Sequence, residues 1–156
     1  MTDAVSSQAR PAHWRWGLAL AAVIVVVDQL FKAWILGQES LNALGCLDRT
    51  ERCGGYLLLP AVFNEHPLFS ISMTWNRGVS FGALQAEGAG RWLLVAMTTA
   101  IALGFTVWLW RAERWMTALA LALVIGGAVG NNLIDRVRFG AVVDFLDFSG
   151  LFFPWV

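Results

Sequence analysis

Three long apolar runs, separated by polar interruptions, set the pattern of this chain. The first, from Trp16 to Leu36, reads WGLALAAVIVVVDQLFKAWIL and is charged only at Asp28 and Lys32. The second, Trp92 to Trp110, and the third, Trp115 to Ile134, carry no charge at all. A helix needs about 20 mostly apolar residues to cross a hydrocarbon core, so each run predicts a membrane-spanning helix. The first run is too long, and too interrupted by charge, for a cleavable secretory segment. The short connection from Arg111 to Arg114 forces the second and third helices antiparallel.

The periodicity changes between the first two runs. Phe69, Ile71, Met73 and Trp75 alternate with Ser70, Ser72, Thr74 and Asn76, which predicts a strand with one apolar and one polar face. Arg77 and Gly78 then suit a turn into a returning strand over Val79 to Leu84. The expected organisation is a single membrane α-helical domain with a small β-sheet between helices 1 and 2. Its parts are a polar tail (1–13), a first span (16–36), a loop and β region (37–90), spans over 92–110 and 115–135, and a C-terminal segment (136–156). Such a sheet either lies against lipid and an acylated substrate or simply packs on the helices. Cys46 and Cys53 are either a disulfide in an oxidising compartment or loose thiols.

Composition agrees with the periodicity. The chain is 58% hydrophobic and 14% charged, with mean hydropathy +0.61, inside the membrane class. Its formal net charge is zero, so there is no electrostatic footprint for nucleic acid. Nine tryptophans suit anchoring at membrane interfaces. Arg10 and Arg15 before the first span, with Arg111 and Arg114 between the last two, place the N-terminus and that connection in the cytoplasm. The strand region and the C-terminal segment then lie outside. Only these local flanks carry the orientation, because Arg49, Arg52, Arg77, Arg91, Arg136 and Arg138 fall on the outer side. No metal site or other cofactor is expected: His13 and His66 are isolated and no ligand spacing is present.

The chemistry concentrates after the third run. Within LALVIGGAVGNNLIDRVRFGAVVDFLDF, Leu121 to Phe148, stand Asn131, Asn132, Asp135, Arg136, Arg138, Asp144 and Asp147. Charges near hydrocarbon are costly unless they face protein or water, so such a cluster is a candidate site. Asp28 and Lys32 stand one helical turn apart, either as a structural ion pair or as part of a site that another segment completes. Two carboxylates sharing one proton can activate water and protonate a departing amine, which suits peptide hydrolysis at a membrane boundary. Gly126, Gly127 and Gly130 read as helix-packing positions.

Four motifs now carry a resemblance: DQLFK at Asp28 to Lys32, WNRGVSFGAL at Trp75 to Leu84, GGAVGNNLIDR at Gly126 to Arg136, and VVDF at Val142 to Phe145. Together, in this order, they resemble the lipoprotein signal peptidases, or signal peptidase II. These are bacterial inner-membrane aspartyl proteases that cut the signal peptide from diacylglyceryl-modified prolipoproteins just before the lipidated cysteine. The resemblance implies that Asp144 is one of two catalytic aspartates at the periplasmic face. It implies that Asp28, Asn76, Asn132 and Arg136 line the site or hold substrate and globomycin-type inhibitors, and that Lys32, Asp135 and Gly78 are structural. The strand region would be the family's periplasmic cradle. Anchoring on Asp135 places Asn132 on the family asparagine and Asn131 where glycine is usual.

The family has four membrane helices, and a Phe-Asn-x-Ala-Asp motif after VVDF supplies its second catalytic aspartate. That motif does not occur in residues 1–156. Asp147, only three residues from Asp144, is a poor substitute, because the family dyad is assembled from separate segments. The resemblance therefore implies an endopeptidase whose second aspartate is encoded beyond Val156. The alternative is a truncated noncatalytic paralogue that at most binds acylated peptide. A proton-conducting or transport protein using Asp28 and Asp144 as a relay is a third class, disfavoured by the four motifs.

Overall fold

Apolar side chains cover the outside of the helices. Val23, Val27, Leu30, Leu93 and Leu103 are each more than half exposed. In water this arrangement would expose a large hydrophobic surface, whereas in a bilayer those side chains meet lipid. The computed structural model describes residues 13–37, 70–78 and 88–147. Three helices in it are long and apolar enough to cross a membrane: α1 (His13–Leu36), α2 (Ala89–Trp110) and α3 (Trp115–Phe139). The polar tail before His13, the Cys46 and Cys53 pair, the expected strand over Val79 to Leu84 and the segment after Asp147 lie outside the described residues.

The spans are longer than the hydropathy runs. Helix α1 starts three residues before Trp16, α2 three before Trp92, and α3 continues past Asp135 to Phe139. Hydropathy marks where lipid begins, whereas backbone hydrogen bonding carries each helix into the polar interface. Helix α3 packs against both α1 and α2. A Cβ at Gly126 would lie 2.8 Å from Ile24 of α1, so glycine lets these two helices approach closely. Gly127, by contrast, faces open space. The Thr99 and Thr106 hydroxyls donate to Val95 O and Ala102 O one turn back in α2, which satisfies them inside the span.

Helix α3 changes character at the site. Its first turns, Trp115–Gly127, are α-helical; Ala128–Asp135 is π-helical; the α form returns over Arg136–Phe139. A π turn is wider than an α turn and is rare away from functional sites. It covers the Asn131–Asn132 stretch where the sequence departs from the family pattern, and both asparagines find inward partners there. Gly140 then ends the helix at φ 84°, with its N–H donating to Arg136 O at 3.1 Å. This left-handed position suits glycine and turns the chain sharply into the last strand.

That strand supplies a partner for the expected one. β1 (Ser70–Asn76) pairs antiparallel with β2 (Val142–Asp147), so the ribbon joins the loop after α1 to the segment after α3. Local alternation reveals a strand but not its partner, and VVDF is too short to advertise itself as one. The strict alternation is also broken. Ile71 pairs with Leu146 and Thr74 with Asp144, so β1 holds one more residue than β2 between those pairs, a β-bulge.

Candidate active site

One end of the helix bundle is polar inside. Lys32 of α1 is 2% exposed, and its Nζ reaches Asp28 Oδ2 at 3.0 Å, Asp135 Oδ2 at 2.7 Å and Asn131 Oδ1 at 2.6 Å. An ammonium has three protons, and three acceptors surround it. Asp135 is fully buried and accepts on its other oxygen, Oδ1, from Gln29 Nε2 at 2.8 Å. The i,i+4 pair on α1 is thus joined by a carboxylate from another segment, α3. The backbone has to come close for this to happen. A Cβ at Gly130 would lie 2.6 Å from Asp28 Oδ2.

Gln29 ties this cluster together. Its Oε1 accepts from Arg138 Nη1 at 2.9 Å. Arginine can only donate, so the amide is turned with its NH2 toward the carboxylates. Nε2 accordingly reaches Asp28 Oδ2 at 3.1 Å as well as Asp135.

A second arrangement lies on the β-ribbon. Asn76 Nδ2 donates to Asp144 Oδ2 at 3.0 Å, while Asn76 Oδ1 accepts from Gly78 N at 3.0 Å. The backbone N–H fixes which end of the amide faces the carboxylate. Arg136, itself buried, holds this turn from the end of α3. Its Nη1 donates to Arg77 O at 3.2 Å, Nη2 donates to Gly78 O, and Nε donates to Asn132 Oδ1 at 3.2 Å. The guanidinium fork therefore clamps the backbone that aims Asn76 at Asp144.

Asp135 joins the two arrangements. Its Oδ2 also accepts from Val143 N at 3.2 Å, which fixes the start of β2 one residue before Asp144. Trp75 packs on Phe139 across the other face of the ribbon, and Phe145 packs on Phe31 of α1. Burial pushes the Asp144 carboxyl above the usual carboxylate range; the Asn76 hydrogen bond, Lys32 and Arg136 pull the other way, and the Asp135 charge adds to the rise. A carboxyl balanced like this holds its proton more readily than a surface aspartate yet has donors ready for its ionised form.

The family model for signal peptidase (SPase) II matches residues 20–156. The chain belongs to the signal peptidase II family. A lipoprotein signal peptidase of Caulobacter vibrioides is 44% identical over 138 residues, covering 88% of this chain and 73% of that protein. One from Methylorubrum extorquens is 37% identical over 134 residues, covering 85% and 68%. A bacterial membrane enzyme solved by the in meso method at 2.3 Å resolution superposes with TM-score 0.64 at 22% identity, covering 90% of this chain and 74% of its own.

In this signal peptidase II family member the residues singled out from the sequence fall into two linked groups. Asp28, Lys32 and Asp135 meet in the buried cluster, while Asn76, Gly78, Asn132, Arg136 and Asp144 meet at the ribbon. Asp147 pairs with Ser70 at the far end of the ribbon. Sequence reasoning passed over Gln29, and named Asn131 and Arg138 in the polar cluster without giving them a role. For Gln29 the signal was available: an amide inside an apolar span must find partners, and it sits between two charges already suspected.

Proposed function

We propose that this chain is the membrane aspartyl endopeptidase part of a lipoprotein signal peptidase, removing the signal peptide from diacylglyceryl-modified prolipoproteins before the lipidated cysteine. The observation that carries this reading is the Asp144 carboxyl, partly buried at the edge of the helix bundle, aimed by Asn76 and inclined to keep its proton. In peptide hydrolysis one carboxylate takes a proton from water as the oxygen attacks the scissile carbonyl. The other gives a proton to the departing nitrogen as the C–N bond breaks. Asp144 is one member of this pair. Its mate belongs to the Phe-Asn-x-Ala-Asp segment, so no residue among 1–156 takes that role.

Asp28, Asn76, Asn132 and Arg136 then line the substrate and inhibitor path, and Lys32, Asp135 and Gly78 hold its frame. The active end faces the periplasm of a bacterial inner membrane, with prolipoprotein and surrounding lipid as partners. The flanking arginines support that orientation, which puts the ribbon and the end of α3 packed on it on the outer side.

The test is to express the complete open reading frame containing these residues, in lipid, with a diacylglyceryl-modified prolipoprotein. Cleavage is expected, and Asp144→Asn should abolish it, leaving binding of the lipidated substrate intact. Undiminished release of signal peptide by the variant would remove Asp144 from the reaction. Binding without cleavage by the wild type would favour the noncatalytic alternative.

A further inference from the structure

Among the described residues, one polar atom beside Asp144 has no partner. The Thr74 Oγ1 is closed off from the surface and makes no hydrogen bond to any of them. Buried hydroxyls nearly always find one, and leaving one unmet is unfavourable, so an orphan in a native fold calls for a reason. Its position is specific. Thr74 is the residue directly opposite Asp144 in the ribbon, on the face that Asn76 shares two residues later. Directly opposed side chains in an antiparallel pair stand with their Cβ atoms about 5 Å apart, close enough for one bound group to touch both.

The bulge in β1 produces this placement. Had the strands run in unbroken register from Ile71 opposite Leu146, Met73 would face Asp144 and Thr74 would face Val143. The one inserted residue moves the hydroxyl to the carboxylate and puts Trp75 on the packed face beside Phe139. Bulges beside active sites re-aim side chains in this way.

From these observations we infer that Thr74 is a substrate-positioning residue, its Oγ1 hydrogen-bonding the peptide backbone of the segment held against Asp144 once the entering peptide displaces the side chains that close the hydroxyl off. This rests on the reading of Asp144 as a peptidase carboxylate. A hydroxyl both donates and accepts, so it suits a backbone amide or carbonyl of any sequence, as expected for an enzyme that selects its substrate by lipid and position.

Thr74→Val keeps the shape and removes the hydroxyl; Thr74→Ser keeps the hydroxyl. In the full open-reading-frame product in lipid, binding of a labelled diacylglyceryl-modified signal peptide and kcat/KM for prolipoprotein cleavage are measured together with the thermal midpoint. Val should weaken binding and kcat/KM by about three- to tenfold, the size of one neutral hydrogen bond. Ser should restore both, and the Val midpoint should be unchanged or higher, since an orphan hydroxyl has been replaced by a methyl. Wild-type activity and binding in Val, or equal losses in Val and Ser, would overturn the assignment. If the wild type binds lipopeptide without cutting it, the proteolytic reading fails while the Val and Ser binding comparison still decides the role of Thr74. If it neither binds nor cuts, both fall.

Discussion

The two ends of the helix bundle are built on opposite principles. Around Leu109, Ala118, Leu121 and Ala122 the interior is wholly apolar, closed at its edge by Trp14 against Trp110. Around Lys32, Asp135 and Arg136 it is charged, and each charge is met by an opposite charge or a hydrogen bond. In lipid, apolar helix faces gain little by leaving one solvent for another, so the first end is held by packing alone. The second end is held by interactions that fail badly if one member is removed. The lesson is that the site end is also the end that specifies how α1 and α3 are set against each other.

The largest effect should come from Lys32→Met, which keeps the stem and removes the ammonium. Asp28 and Asp135 are then left facing each other without a cation. Breaking a buried pair in this way costs about 3–5 kcal/mol. The expected result is a large drop in thermal midpoint in detergent, with cleavage lost at the same time. Leu109→Ala at the other end, where the side chain is also fully buried, should cost about 2–4 kcal/mol. Its activity should persist at temperatures where it remains folded. Equal losses of activity at equal stability would erase the distinction between the two ends.

This asymmetry explains what the sequence disclosed. The spans were legible because lipid demands an unbroken apolar run, and any charge inside one stands out, as Asp28 and Lys32 did. The motif residues were legible through resemblance. What could not be read was partnership. That Asp135 would meet Lys32 and also the Val143 N–H depends on two helices and a strand arriving together. The pairing of β1 with β2 is equally non-local, since it joins segments separated by α2 and α3. A one-residue bulge changes which side chain faces Asp144, yet the alternation of Ser, Thr and Asn around it looks regular.

Glycine substitutions sharpen the comparison at smaller scale. At Gly130 a new methyl would displace the Asp28 carboxylate from Lys32 and Gln29, while at Gly127 it would meet nothing. Gly130→Ala is expected to cost about 1–3 kcal/mol, the range for overpacking, and to depress cleavage more than its stability loss accounts for. Gly127→Ala should be neutral, or stabilising by roughly 0.5–1 kcal/mol through helix propensity. Matched thermal scans and turnover assays on the pair check this; similar behaviour of both variants would mean that the close approach at Gly130 does not position Asp28.

The subtlest expectation concerns the proton on Asp144. Its carboxyl is pushed above the usual carboxylate range chiefly by burial, so the folded protein holds that proton more tightly than the unfolded chain does. Below the ordinary carboxylate range both states are protonated and the group contributes nothing. As pH rises the unfolded chain ionises first, and stability falls until pH has passed the folded value, above which a constant penalty remains. Asp144→Asn removes the titration while keeping an oxygen that can accept from Asn76. The variant should therefore melt higher than wild type at neutral pH, and the gap should close as pH falls through the folded value toward the ordinary carboxylate range. A gap of the same size at every pH, or a lower midpoint for the variant at neutral pH, would mean that the Asn76, Lys32 and Arg136 interactions outweigh burial. Asp144 would then rest as an ordinary ionised carboxylate, suited to taking a proton from water but not to holding one for the departing amine.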